Sequence, residues 1–277
     1  MAKKIGILYQ PKTPVAGDLA QQLGKVLGEQ ENTVWICSSW DESRACELAD
    51  ETDFIISLGG DGTILRAARV ASPRSIPILA VNLGRVGFMT EVPPDEAIER
   101  VPAFVDGQEG WIEERHMLQA EIVTRETGEQ YQALNDVVVA RGERCRLVRV
   151  KVTIDGEPVS TYKCDGVILA TPTGSTAYSM AAGGPVLHPL ASEIVLQPVA
   201  AHLSPGAALV LPSESVVELE VGTYHQATLS IDGQIEVPLS DGDVVRVKPS
   251  PQVTRLLKSQ SSKSFYSVLM QKLAVGE

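Results

Sequence analysis

An aspartate among three glycines, Gly59-Gly60-Asp61-Gly62, is the stretch of this chain best suited to chemistry. Glycine lets a backbone adopt positive φ and lets a ligand approach with no Cβ in the way. Free N–H groups at the start of a helix, with the positive end of its dipole, attract phosphates. A carboxylate inside such a turn is out of place unless it takes a proton or holds a metal ion, and the residues leave both roles open. They leave a plainer reading open too: a tight βα turn whose Asp61 caps the helix. The pattern is not a P-loop, since no Gly-Lys-Ser/Thr follows, and it is not Gly-x-Gly-x-x-Gly.

A second stretch runs from Asp165 to Tyr178. It reads as a buried strand, Val167–Ala170, with a carboxylate at its entrance and a hydroxyl-rich turn at its exit. Thr171, Thr173, Ser175, Thr176 and Tyr178 supply donors and acceptors suited to ribose and amide groups. Ser175 or Thr176 is placed to cap a short helix through Ala177–Ala182, stopped by Gly183-Gly184-Pro185. A capped turn alone accounts for the same residues.

The elements that must position these groups follow from periodicity. Phe54–Leu58 is a short apolar strand before the glycine turn. Ile64–Val70 behind it has helical spacing, with Arg66 and Arg69 facing outward. Strands are expected at Ile5–Tyr9, Thr33–Cys37 and Pro77–Val81, and helices at Asp18–Leu27 and near Ser43–Leu48. This alternation implies a parallel sheet with ligands at the carboxyl ends of its strands. From about Glu113 the rhythm becomes all-β: Met117–Arg125, Gln130–Val139, Leu147–Ile154, Val216–Val221, Thr228–Ile231 and Val244–Val247. Asp155-Gly156, Asp232-Gly233 and Asp241-Gly242 suit hairpin turns. The division expected is an α/β domain over 1–110, a β-rich domain over 111–255, and a helix over about 262–277 that returns to the first.

Composition sets the outer bounds. A chain of 277 residues with 44% hydrophobic and 21% charged residues is ordinary for a globular protein. A net charge of -11 argues against a nucleic-acid or anionic-membrane partner, because phosphate backbones need a basic surface. Lys3-Lys4 and the apolar run to Tyr9 imitate a signal peptide but are too short, and no stretch approaches a bilayer's thickness. Cys37, Cys46, Cys145 and Cys164 show no paired spacing, which fits reduced thiols in a cytoplasm. The four histidines never fall at metal-ligand spacing.

The glycine turn resembles one shared by 6-phosphofructokinases, diacylglycerol and sphingosine kinases, and NAD kinases. The second stretch, with Thr171-Pro172-Thr173-Gly174-Ser175-Thr176-Ala177-Tyr178, resembles NAD kinases alone. Further likenesses lie at Asn82–Phe88, Leu134–Val138 and Ile231–Gln234. The resemblance implies an N-terminal Rossmann-like parallel α/β domain of the 6-phosphofructokinase and diacylglycerol kinase type, then a β-sandwich-like C-terminal domain. It implies transfer of the γ-phosphoryl group of ATP to the 2′-hydroxyl of the adenosine ribose of NAD, giving NADP. In it, Asp61 matches the catalytic aspartate and Gly62 its neighbour at the NAD site. Asn135-Asp136 match an Asn-Glu pair that holds the adenosine part, with Asp136 one methylene short. Asp165 matches a carboxylate near the nicotinamide ribose. Thr176, Ala177, Tyr178, Ser179, Met180 and Ala181 match the wall around adenine and ribose, and Arg146, Lys163 and Gln234 fall where further NAD contacts lie. Gly59, Gly60, Thr63 and Arg66 are the residues expected at the donor phosphates, together with Mg²⁺. NAD and ATP are the implied partners, and a homodimer or homotetramer the implied assembly. Two rival readings are a lipid or sugar kinase sharing the glycine turn, which leaves the second stretch unused, and a non-catalytic NAD-binding sensor, which the intact Gly-Gly-Asp-Gly opposes.

Overall fold

The computed structural model describes residues 2–126, 128–142, 146–202, 206–259 and 264–274. Cys145 and the ends of the expected C-terminal helix, 262–263 and 275–277, lie outside the described residues. The chain forms two units, Met1–Glu114 with Gln252–Glu277, and Arg115–Pro251.

The first unit is built on parallel strands β1 (Lys4–Tyr9), β2 (Thr33–Ser38), β3 (Phe54–Gly59) and β4 (Ile78–Asn82), in the order β2-β1-β3-β4. All six residues of β3 are buried, as expected of a parallel strand covered on both faces. Between the strands run α1 (Pro14–Glu29), α2 (Glu42–Leu48) and α3 (Asp61–Ala71). Proline at the first turn starts α1 four residues before the periodicity predicts, because its fixed φ suits that position. The strand order reverses between β1 and β3, which puts the loop after Tyr9 and the turn after Gly59 on either side of the switch point. A helix over Ala97–Val105, α4, was not expected; Pro102 inside it masks the helical pattern. The core joins Ile5, Ile7, Ile56, Leu58, Leu79 and Val81 of the sheet to Leu23, Leu27, Val101 and Phe104 of the helices.

The second unit contains two antiparallel sheets. Its strands are β5 (Trp111–Ile122, entering from the first unit), β6 (Gln130–Ala133), β7 (Asp136–Arg141), β8 (Val148–Ile154), β9 (Glu157–Cys164), β10 (Gly166–Ala170), β11 (Ile194–Val199), β12 (Leu209–Leu211), β13 (Val217–Gly222), β14 (Ala227–Ile231) and β15 (Ile235–Leu239). The last strand, β16 (Val244–Lys258), gives its first half to this unit and its second half to the first, where Leu256 pairs with Ile78. One sheet runs β12-β11-β10-β7-β14-β15, and the other includes β13, β8 and β9. Val148, Val150 and Val152 point inward at every second position of β8, as do Ala227, Leu229 and Ile231 of β14. They meet in one core between the sheets, the packing of a β-sandwich.

Three expectations are corrected here. Gln130–Val139 is two strands, broken at Leu134-Asn135. Asp155-Gly156 does form a two-residue hairpin, with φ of 51° and 84°, but Asp241-Gly242 joins β15 to β16, strands of different sheets. Arg69 does not face outward; its side chain is 8% exposed and pairs with Glu42 at 2.7 Å. After a short helix α5 (Tyr178–Ala181) in the second unit, the closing helix, α6 (Phe265–Ala274), packs within the first unit, its Phe265 ring 5.9 Å from Phe88.

Candidate active site

Asp61 is the first residue of α3, and the cap position belongs to Gly60, in extended backbone with no side chain to offer. The carboxylate therefore does not cap its own helix. It reaches across to the loop after β4, where Oδ2 accepts the N–H of Phe88 at 3.0 Å and Oδ1 that of Met89 at 3.1 Å. Gly87 makes room for this: a Cβ there would lie 2.9 Å from Cγ of Asp61 and overlap its oxygens. Gly59 plays the same part beneath the turn, since a Cβ on it would sit 2.8 Å from the Cβ of buried Thr63. Gly60 and Gly62 border open space instead.

The loop that holds Asp61 is itself held. The ammonium of Lys258, at the end of β16, donates to the carbonyl of Met89 at 3.3 Å and pairs with Glu91 at 3.3 Å, with side chains only 10% and 2% exposed. From α6, Lys272 sits 4.5 Å from the centroid of the Phe88 ring and 3.9 Å from Oδ2 of Asp61. Neither lysine was anticipated, because both lie near the far end of the chain and carry no local signal. The Asp61 side chain stays 28% exposed. Among the described residues no group of three or more His, Cys, Asp or Glu is arranged to hold a metal ion.

In the second unit the expected residues fall into two groups at opposite ends of the same strands. β10 pairs antiparallel with β7, Ala170 opposite Asp136 and Gly166 opposite Ala140. At the first end Asp232 takes charge of the chain. Its carboxylate accepts the N–H groups of Leu134 (3.0 Å), Asn135 (2.7 Å) and Asp136 (3.1 Å), which explains the break between β6 and β7. Asp232 and Gly233 have φ of 53° and 62°, so the pair is the hairpin turn and a structural anchor at once. Thr171 donates to the carbonyl of Leu134 at 2.6 Å, and Gly174 passes so close that a Cβ would lie 2.7 Å from Cα of Asn135.

These contacts bring Asn135, Asp136 and the turn from Thr171 to Ala181 together. The Oδ1 atom of Asn135 and the Oγ of Ser179 are buried without a hydrogen-bond partner, which is costly unless a ligand supplies one. Burial pushes the Asp136 carboxyl up to about 7, with the nearby charge of Asp232 adding to the effect. Tyr178 is 47% exposed, Ala181 is exposed, and Thr176, Ala177, Met180 and Gln234 are half-buried. Neither Ser175 nor Thr176 caps the short helix Tyr178–Ala181: Ser175 bonds to Pro172 and Leu187, and Thr176 to Thr173. Arg115, buried on β5, donates to Thr173 at 3.2 Å; a lone arginine in a strand gave no prior sign of this.

At the other end lie Asp165, half-buried and paired with Arg141 at 2.8 Å, and exposed Lys163 and Arg146. Five strand residues separate the two groups, roughly 17 Å at the rise of an extended strand. Within one chain Asp165 and Asn135 are not neighbours.

Comparison with known proteins adds an independent line. Family models for the ATP-NAD kinase N-terminal domain and C-terminal domain match residues 3–109 and 134–259. A protein of Dehalococcoides mccartyi named NAD kinase is 46% identical over 275 residues, 99% of this chain and 96% of that one. One of Chloroflexus aurantiacus with the same name is 39% identical over 274 residues, 99% of both chains. A crystal structure of an NAD kinase from Archaeoglobus fulgidus in complex with ATP is 26% identical, with a TM-score of 0.77 and 98% of both chains covered. Yeast NADH kinase complexed with NADH, 24% identical at a TM-score of 0.78 over 99% of this chain and 88% of that one, shares the fold.

Proposed function

This chain belongs to the NAD kinase family, and from that membership we propose that it phosphorylates the 2′-hydroxyl of the adenosine ribose of NAD from ATP, with Asp61 as general base. One observation carries the role of Asp61. Its carboxylate is fixed by two backbone N–H groups outside its own helix, at the head of a glycine turn, and remains partly open to solvent. A ribose hydroxyl is a poor nucleophile, and a carboxylate oriented in this way accepts its proton as the oxygen attacks the γ-phosphorus. The leaving ADP carries the charge away. The glycine turn, with the helix dipole of α3 behind it, faces the donor phosphates.

Asn135, Asp136 and the Thr176–Ala181 wall bind the adenosine end of NAD. The unpartnered Oδ1 of Asn135 accepts from the adenine amine or a ribose hydroxyl. Asp61 is the residue that would hold a magnesium ion here, since Mg²⁺ is usually bound through one or two carboxylates together with substrate oxygens and water. Such an ion would supply neutralisation of phosphate charge.

The reading extends to a cytoplasmic homodimer or homotetramer. Placement of Asp165, Lys163 and Arg146 at the far end of β10 from Asn135 supports an assembly in which one subunit's Asp165 serves a neighbour's pocket. Sedimentation that finds only fully active monomer at micromolar concentration would contradict it. The test of the whole is NADP formation from NAD and ATP by wild type and Asp61→Asn. Wild type should turn over, and the variant should lose roughly 10²–10⁴ in kcat, the usual share of a general base, while still binding NAD. Turnover in the variant near that of wild type would refute the role of Asp61.

A further inference from the structure

α6 brings a lysine to the head of α3. Phe265, Val268 and Lys272 stand at i, i+3 and i+7 of the helix, on one face. Phe265 is half-buried and Val268 buried, so Lys272 occupies the place where a third apolar side chain would continue the stripe. Its ammonium lies 4.5 Å from the centroid of the Phe88 ring and 3.9 Å from Oδ2 of Asp61. Among the described residues no other cation comes within ion-pair reach of that carboxylate.

A lysine in the last turn of a helix is already favoured by the dipole of that helix, and this alone would let its ammonium point into water. Lys272 points instead to the positive end of α3, where the dipole repels it. The charge of Asp61 and the ring of Phe88 are the contacts that hold it there. The contacts also form a circuit. Phe88 gives its N–H to Oδ2 of Asp61 and its ring to Lys272, and Lys272 returns to Oδ2. The circuit ties the loop after β4 to the first residue of α3, and Phe265 backs it from the same helix as Lys272.

We propose that Lys272 is a positioning residue for phosphoryl transfer, holding the Asp61 carboxylate in the orientation that meets the ribose hydroxyl. A carboxylate on the first residue of a helix is drawn toward the positive end of that helix. Lys272, seated on Phe88, pulls toward the loop and so keeps both oxygens on the Phe88 and Met89 N–H groups. Without it, two hydrogen bonds from a loop hold the carboxylate unaided. The inference rests on the reading of Asp61 as the general base.

The test is a double-mutant cycle on the full-length protein. Lys272→Met keeps the length of the side chain and suits a helix, so thermal unfolding should stay close to wild type. Its kcat for NADP formation should fall roughly tenfold to a hundredfold, the scale of a misplaced catalytic group, with KM for NAD and for ATP little changed. Lys272→Arg, which keeps the charge, should recover most of the loss. In an Asp61→Asn background, Lys272→Met should cost nothing further, because the carboxylate it positions is gone. A second arm needs no turnover. The Met89 N–H bonds to Oδ1 of Asp61 and not to Lys272, so its amide proton resonance in Lys272→Met should move toward its position in Asp61→Asn. Wild-type kcat in Lys272→Met, no recovery with arginine, an equal drop in both backgrounds, a change confined to the KM for ATP, or an unmoved Met89 resonance would each overturn the inference. Turnover in Asp61→Asn near that of wild type would remove the base and the inference with it. Wild type that forms no NADP, with the Met89 resonance moving as expected, would refute the kinase reading and support the hold of Lys272 on Asp61.

Discussion

Asp136→Asn isolates the cost of a buried carboxyl. The Asp136 carboxyl is held at about 7 against an ordinary 3.8, first by burial and then by the charge of Asp232. A carboxyl raised in this way contributes full stability below its unfolded value and loses it as pH rises through the folded one. A gap of about three units corresponds to about 4 kcal/mol of stability lost between acid and alkaline pH. Of that, about 1.5 kcal/mol is already gone at pH 5, and roughly 2–3 kcal/mol more disappears between pH 5 and pH 8. Asparagine keeps the size of the side chain and has no charge to bury, so the variant should not show this loss. Urea unfolding of both proteins at half-unit steps from pH 5 to 8, without ligand, gives the difference in stability at each pH. The difference should move in favour of Asp136→Asn by that amount, whatever its starting sign, rising steadily from pH 5 and levelling off above about 7. Parallel curves for the two proteins would refute the burial argument. A ribose hydroxyl donating to the ionised carboxylate should also bring that levelling-off to lower pH when NAD is present.

Three other outcomes follow from the same structure. Gly87→Ala should push the Asp61 carboxylate off the Phe88 and Met89 N–H groups, lowering kcat at least tenfold with little change in KM for NAD. Asp232→Ala strands three buried or half-buried backbone donors, so thermal or urea unfolding should show a loss of about 3 kcal/mol or more, and KM for NAD should rise as Asn135 shifts. Lys258→Met leaves Glu91 buried without its cation; a loss of about 3–5 kcal/mol is expected by urea unfolding, and Glu91→Gln/Lys258→Met should recover part of it.

Much of the first unit was legible because its signals are local. Phe54–Leu58 and Ile64–Val70 announce strand and helix by periodicity, and the glycines between them announce a turn. The misreadings came from forces that act at a distance. Nothing near Leu134 says that a carboxylate on Asp232 will break the strand there, and nothing near Arg69 says that Glu42 will draw it inward. An Asp-Gly pair specifies the shape of a turn but not which strands it joins, so Asp155-Gly156 and Asp241-Gly242 look alike and behave differently. β9 escaped notice because only Tyr162 and Cys164 of its eight residues are buried, which leaves little alternation to read. At the site, residue types pointed to Asp61, but its carboxylate depends on Gly87, Met89 and Lys258, and tertiary structure alone joins them.

The route of β16 has a consequence for synthesis on the ribosome. The first unit begins at residue 1 but takes its last strand segment, Gln252–Lys258, and α6 from the other end of the chain. A nascent chain emerges from its N-terminus, so every residue of the second unit is available before the first unit can close. The glycine turn is among the earliest motifs translated, yet the lysine that ties down the Met89 loop is among the last two dozen residues printed in the sequence. Translation that stops between Asp61 and Lys258 therefore yields a polypeptide whose Asp61 is already made and whose supporting loop lacks the Lys258 contact.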